Sequence, residues 1–410
     1  MNHIAKIWEL TFRNFFLIAF AAQVIYLAGY DFYLYQLFMV SCLVYGGYIL
    51  FNFKFRSICD YFVLIYLIYI ILNTIFIDYP LHWRYAYKAM LIQFAPILCY
   101  FIGRNSRITI EHVFSNMKYP LLLAAIIGLY AFFFNPSWYV DMKTSNFSKY
   151  ITDIQIEECM RLSSVWTHPY RLSYATILYC MLLFNDLYKK RKGSQKWHIL
   201  LQLVILVIVL LFAQLRVTLI CLIVSNFVFL VYYGYSLRKI FFQLFLILLF
   251  CGVSLFAVTN FATQSNSAYL SHHLEAVFKS ETYDERFKVT ENIESIFGDG
   301  FGRYDYLAID YHKPAILDNE LYNHIGELGY IGTFLLISIL LISLYRIIFS
   351  RVPPLESSVF LFYLIAMFVA SVLSNHHQYN YVFWFVLGHI WSKRTFLWKK
   401  EITWKNLLSA

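Results

Sequence analysis

Charge is what this chain has least of. Asp, Glu, Lys and Arg make up 14% of its 410 residues and apolar residues 60%, against about 25% and 45–50% in soluble domains. So little polar surface cannot clothe a water-facing exterior, which excludes a soluble globular fold. Glycine (15) and proline (8) are also sparse, and no Gly/Ser/Pro-rich stretch links a separate domain. The seven cysteines are Cys42, Cys59, Cys99, Cys159, Cys180, Cys221 and Cys251, without a CxxC pair. All but Cys159 fall inside apolar runs, so neither a disulfide framework nor a zinc site is expected. No DxD and no acidic cluster at metal-ligand spacing occurs, and no metal is expected. No repeat relates one half to the other. Lys6 and Arg13 precede an apolar run from Phe15 to Tyr30 with no small-residue cleavage site, so this run reads as a retained span.

What the chain has instead is long apolar runs, too long for core strands, recurring from end to end. They fall at 10–29, 33–51, 58–77, 85–102, 119–135, 169–186, 197–213, 216–235, 240–260, 326–349, 357–373 and 380–392. The expected fold is all-α: a polytopic transmembrane helix bundle of about 12 spans, forming a single integral membrane domain over 1–410. The net charge of +9 does not point to nucleic acid, because the basic residues sit in short connections between runs. With cytoplasmic termini those connections collect most of the Lys and Arg, among them Lys189 to Lys192, Lys196, Arg238, Arg346 and the C-terminal lysines. The positive-inside rule therefore sets the orientation. Two large outer loops remain, 136–168 and 261–325. Polar loops on one face of a bundle are where function concentrates. Segments 272–280 and 284–297 carry helical apolar spacing and are expected as short surface helices.

Several residues resist a purely architectural reading. Arg216 interrupts an apolar stretch of two helices' length. A guanidinium at bilayer depth costs several kcal/mol unless it faces a partner or cavity. It reads either as an arginine snorkelling from a tight hairpin or as part of an anion site. Arg161 and Arg171 flank Pro169, a plausible helix start; they are solvated loop arginines or outer-face anion ligands. His168 is a loop histidine or a proton donor. Arg286 precedes an amphipathic stretch. Gly298, Gly300 and Gly302 make a loop whose backbone can approach a ligand. Asp318 and Asn319 immediately precede a helix, so Asp318 is either its N-cap or a functional carboxylate. His324 and Glu327 share one face of that helix. Gly326, Gly329 and Gly332 repeat at threes, as close helix packing requires.

Three patches resemble the O-antigen polymerase and O-antigen ligase superfamily of bacterial inner membranes. Arg161, Ser164, Trp166 and Pro169 resemble that family's Arg-x-x-Gly-x-aromatic-x-x-Pro, with Ser164 in place of glycine. Gln214-Leu215-Arg216-Val217 stands where the family often has Ser-Arg-Gly-Ala. Arg286, then Gly298-Asp299-Gly300-Phe301-Gly302, then Asp318-Asn319 through Glu327, Gly329 and Gly332 resemble its third motif, with Asp318 where ligases carry His. The likeness covers about residues 155–340; the preceding spans match only generically.

The resemblance implies a metal-independent, cofactor-free glycosyltransferase whose donor is an undecaprenyl-pyrophosphate-linked oligosaccharide. It implies residence in the inner membrane and a site facing the periplasm. The acceptor hydroxyl attacks the anomeric carbon and the lipid diphosphate leaves. Arg161, Arg216, Arg286 and Arg171 are the expected diphosphate ligands, because arginine is permanently charged and binds phosphate bidentately. Asp318 is the first-choice base, followed by His324 and His168. Gly298, Gly300, Gly302, Asn319 and Glu327 shape the loop around the glycan. Aspartate at 318 favours a repeat-unit polymerase; the alternatives are a ligase transferring glycan to lipid A-core and, in another class, a lipid-linked glycan flippase or transporter. Expected partners are membrane lipid and a chain-length regulator protein.

Overall fold

A computed structural model describes residues 6, 7, 10, 11, 13, 14, 18, 34–76, 83–106, 108–134, 136–138, 169–189, 193–213, 216–236, 238, 245, 249, 252, 296–300, 320–350, 352–369 and 377–392. Among them the regular structure is helical. The helices are α1 (Leu34–Phe51), α2 (Ile58–Phe76), α3 (Trp83–Asn105), α4 (Ile110–Ser115), α5 (Lys118–Phe134), α6 (Pro169–Tyr188), α7 (Gly193–Phe212) and α8 (Arg216–Tyr232). They continue with α9 (Glu320–Phe349), α10 (Pro354–Val369) and α11 (His377–Ile390). Three stretches, Ile58–Phe76, Ile110–Ala131 and Glu320–Phe349, are long and apolar enough to cross a membrane. Met39–Phe51, Lys196–Phe212, Val217–Tyr232 and Pro354–Phe368 are shorter apolar helices.

Prolines mark two starts. Pro169 opens α6 and Pro354 opens α10, the first helical position, where a missing N–H costs nothing. α2 is started by a capping box. The Ser57 amide donates to Asp60 Oδ2 at 2.9 Å, and the Asp60 amide donates to Ser57 Oγ at 3.2 Å.

The chain divides into two compact units. The first comprises Met1–Phe12, Gln36–Thr109 and Glu281–Lys400; the second comprises Arg13–Tyr35, Ile110–Ser280 and Glu401–Ala410. In the first, α11 is the central helix. It lies along α3 and also meets α10 and α9, and Tyr381 to Ile390, apart from Gly388 in close backbone contact, are buried apolar side chains or the buried His389. α3 and α11 approach through reciprocal glycines. A Cβ on Gly103 would meet the Phe385 carbonyl, and one on Gly388 would meet the Tyr100 carbonyl. Small residues at such a crossing let backbones touch, which gives apolar helices close packing where lipid supplies no hydrophobic drive.

In the second unit α6 is central, packed against α8, α7, α4 and α5. Polar side chains tie it to its neighbours. Asn185 Nδ2 donates to Glu111 Oε1 at 2.8 Å, Lys189 pairs with the same carboxylate, and the Tyr188 hydroxyl donates to Asn226 Oδ1 at 2.6 Å.

α9 is not one helix. Gly329 has φ 65° and ψ −169°, which separates an arm from Glu320 to Leu328 from a second arm ending at Phe349. Ser343 lies against Cys59 at 3.8 Å and Gly332 against the Tyr69 ring, so the second arm runs antiparallel to α2. Continued straight, the helix would carry His324 about 12 Å beyond Gly332, past the end of α2. Instead His324 meets Tyr66, one turn before Tyr69. The first arm doubles back alongside α2. Residues 320–325, expected at the end of the second outer loop, are therefore helical, and Glu320, Asn323 and His324 are buried.

Candidate functional site

The break in α9 leaves helix-end carbonyls that need donors, and the segment 296–300 supplies two of them. The amide of Asp299 donates to Gly326 O at 2.7 Å and that of Gly300 to Glu327 O at 3.2 Å. The Tyr69 hydroxyl donates to Leu328 O at 2.7 Å, and Thr333 Oγ1 donates to Gly329 O at 2.8 Å. Asn73 Nδ2 fastens the crossing segment to α2 by donating to Phe297 O at 2.7 Å. Donors to the carbonyls of 326, 327 and 328 are what make a broken helix tolerable among apolar neighbours.

Glycine is required on both sides of this crossing. Gly298 (φ 80°) and Gly329 (φ 65°) both occupy the left-handed region. A Cβ on either would strike the other's backbone. The close approach expected of the glycine loop thus occurs at Gly298 and Gly300, but toward the protein's own helix break, and the amides of Asp299 and Gly300 are engaged there. Gly329 is the break itself rather than part of a packing stripe. Gly332 packs sterically, against Leu328 and Tyr69.

Beside the break lies a buried polar chain. His324 Nε2 is 2.9 Å from the Tyr66 hydroxyl, and its Nδ1 is 3.0 Å from the Glu320 carbonyl and 3.4 Å from Glu320 Oε1. Tyr66, Glu320, His324 and Glu327 are all nearly inaccessible. Both ring nitrogens of His324 therefore face protein partners. As placed, the imidazole takes no proton directly from an outside hydroxyl, which weighs against its ranking as a direct base.

A second polar cluster sits at the start of α2. Asp60, fully buried, accepts the Tyr100 hydroxyl at 2.6 Å, Arg104 Nε at 3.1 Å and the amides of Arg56 and Ser57. Arg346 lies over the Trp391 ring, 4.2 Å from its centroid, and Trp391 Nε1 donates to Ser343 at 3.0 Å. His389 pairs with Glu356 at 3.3 Å. Asp60 thus ties α2 to α3, Trp391 ties the end of α11 to α9, and the His389–Glu356 pair ties α11 to α10.

In the second unit two expected arginines stand at helix starts. Arg171 is the third residue of α6 and half-buried; Arg216 is the first residue of α8. α6 and α8 are parallel, since Phe184 packs on Phe229 at 6.3 Å while Tyr188 contacts Phe229 and Tyr233. Arg171 precedes Phe184 by the same number of residues as Arg216 precedes Phe229. The two arginine positions therefore stand level, at the N-terminal ends of neighbouring helices. Helix N-termini carry partial positive charge, and an arginine position at such an end is suited in kind to an anion.

Arg161, His168, Arg286, Gly302, Asp318 and Asn319, together with the expected surface helices up to residue 295, lie outside the described residues. Among the described residues no group of three or more His, Cys, Asp or Glu is placed to hold a metal ion. The sequence reading passed over three residues of consequence. Glu320 was legible as an acid four residues before His324, on the same helix face. Asp60 was legible as the closing acid, at N3, of a Ser-x-x-Asp box. Tyr66, one of 35 tyrosines, carried no signal. No family model matches the chain and no curated protein matches it. Fold and composition together define a class: among the described residues the protein is helical, with helices apolar enough for a membrane.

Proposed function

We propose that this protein is a metal-independent glycosyltransferase of the outer face of the bacterial inner membrane, with about 12 spans and both termini cytoplasmic. It joins glycans from an undecaprenyl-pyrophosphate-linked donor, most simply as a repeat-unit polymerase. The observation that carries the reading is the level placement of Arg171 and Arg216 at two parallel helix starts. A lipid diphosphate needs permanent cations as its bond to the anomeric carbon breaks and negative charge grows on the leaving oxygens. Helix N-termini reinforced by arginine supply them without a metal. Asp318, two residues before the buried arm of α9 in sequence, takes the acceptor proton in this reading. The family resemblance adds Arg161 and Arg286 as candidate cations.

A deletion strain tests it. Lipid anchors carrying a single repeat establish the polymerase; long unattached chains establish the ligase; unchanged glycans refute both.

A specific observation favours a second reading. Buried ionisable groups beside a broken helix, as at Glu320, His324 and Gly329, also mark the substrate paths of carriers. A flippase for the same lipid-linked glycan would use them as a proton relay. Dependence of glycan movement on a proton gradient separates it from transfer, which needs none.

A further inference from the structure

We infer that Tyr66, His324 and Glu320 form a positioning device that locks the first arm of α9 against α2, with the imidazole held as its Nδ1–H tautomer. The role rests on the transferase reading above, in which the residues next before that arm do the chemistry. The tautomer follows from one contact. His324 Nδ1 lies 3.0 Å from the Glu320 carbonyl, which only accepts, so Nδ1 carries the hydrogen. In a neutral ring Nε2 is then bare, and the Tyr66 hydroxyl at 2.9 Å donates to it. The Glu320 side chain, 3.4 Å from Nδ1, adds a carboxylate on the same side and reinforces that choice, as second groups commonly do for functional histidines.

Three observations make this a lock rather than chance burial. The arm doubles back from Gly329 and needs a restraint of its own, because continuity with the second arm does not fix its angle. Its far end is fastened by the Asp299, Gly300 and Tyr69 bonds to carbonyls 326–328, whereas His324 to Tyr66 fastens its middle to α2. Finally, both ring nitrogens are occupied inside the protein, so the histidine fits holding better than proton exchange with substrate. Glu320 begins the arm, and Asp318 is two residues earlier in sequence. A lock on the arm sets where the chain enters it. Tyr66 and His324 are positioning residues for Asp318, not catalytic ones.

The test uses side chains that keep one half of the chemistry. Glutamine places an acceptor oxygen near the Nε2 position but cannot exchange a proton at neutral pH. His324→Gln should retain transfer within a few-fold. His324→Ala and Tyr66→Phe should lower kcat by about 10²-fold, the scale of a misplaced reacting group, with KM for the lipid-linked donor unchanged. His324→Gln as inactive as His324→Ala, while still accumulating in the membrane, would make the imidazole a proton carrier and overturn the inference. So would full activity in Tyr66→Phe. A second measurement needs no activity and only one folded variant: nitrogen-15 spectra of histidine-labelled wild type in bilayers, with His324→Gln identifying the signal. An Nδ1–H signal agrees; an Nε2–H signal contradicts. If wild type transfers nothing, the proposed function fails, and the spectrum still decides the lock.

Discussion

Arg216 begins α8 where the backbone already carries partial positive charge, so its guanidinium gains nothing from the helix. An anion reverses that balance, and Arg171 on the neighbouring helix start doubles the effect. If they bind diphosphate, Arg216→Ala should lower transfer by about 10²–10³-fold, the scale of losing one charge-stabilising group, while membrane accumulation stays normal. Arg216→Lys should recover only part, because an ammonium lacks the bidentate fork. Wild-type rates in Arg216→Ala would leave only a snorkelling side chain. Asp60 makes the opposite case, a charge whose work is structural. It accepts from Tyr100, Arg104 and two amides while fully buried. Asp60→Ala leaves Arg104 uncompensated and should destabilise by about 3–5 kcal/mol. Asp60→Ala/Arg104→Leu should recover much of this, since removing both charges removes the stranded one. Thermal unfolding in detergent reads both, and equal Tm for the single and double variants would contradict the account.

At the scale of elements, the break in α9 is the feature least expected and most testable. Gly329→Ala puts a Cβ against the Ile296 carbonyl at a left-handed φ and should cost about 1–3 kcal/mol for backbone strain alone. Gly47→Ala, mid-helix with nothing within reach of its Cβ, should instead stabilise by about 0.5–1 kcal/mol. Similar Tm shifts in the two would mean that the break is not formed. The sequence spelled out much of the helical layout, because apolar runs and Pro169 at a helix start are local signals. It could not reveal the break. Three glycines at a spacing of three look the same whether they pack or bend, and the sign of φ at Gly329 is set by what crosses there. The Tyr66–His324 contact joins residues far apart in sequence, so no local period announces it. Glu320 and Asp60 were readable in kind, as an i, i+4 partner and a capping box, but their partners on other helices were not.

On the scale of the whole molecule, the proposed orientation follows from where lysine and arginine collect. Reporters active only outside the cytoplasm should work when fused near Ser145 or Ser280 and fail near Lys192 or after Ala410. Activity at Lys192 would reverse the orientation and remove Arg171 and Arg216 from the outer face. The proposed chemistry makes a further demand on the intact protein. Its cations are side chains and its donor is already activated, so transfer should need neither metal, ATP nor gradient. Purified protein in vesicles, given undecaprenyl-pyrophosphate-linked repeat units and EDTA, therefore tests the central claim most directly. The account predicts glycans longer by whole repeats and one undecaprenyl diphosphate released per bond formed. Repeat units unchanged in length, crossing the bilayer only when a gradient is imposed, would contradict it.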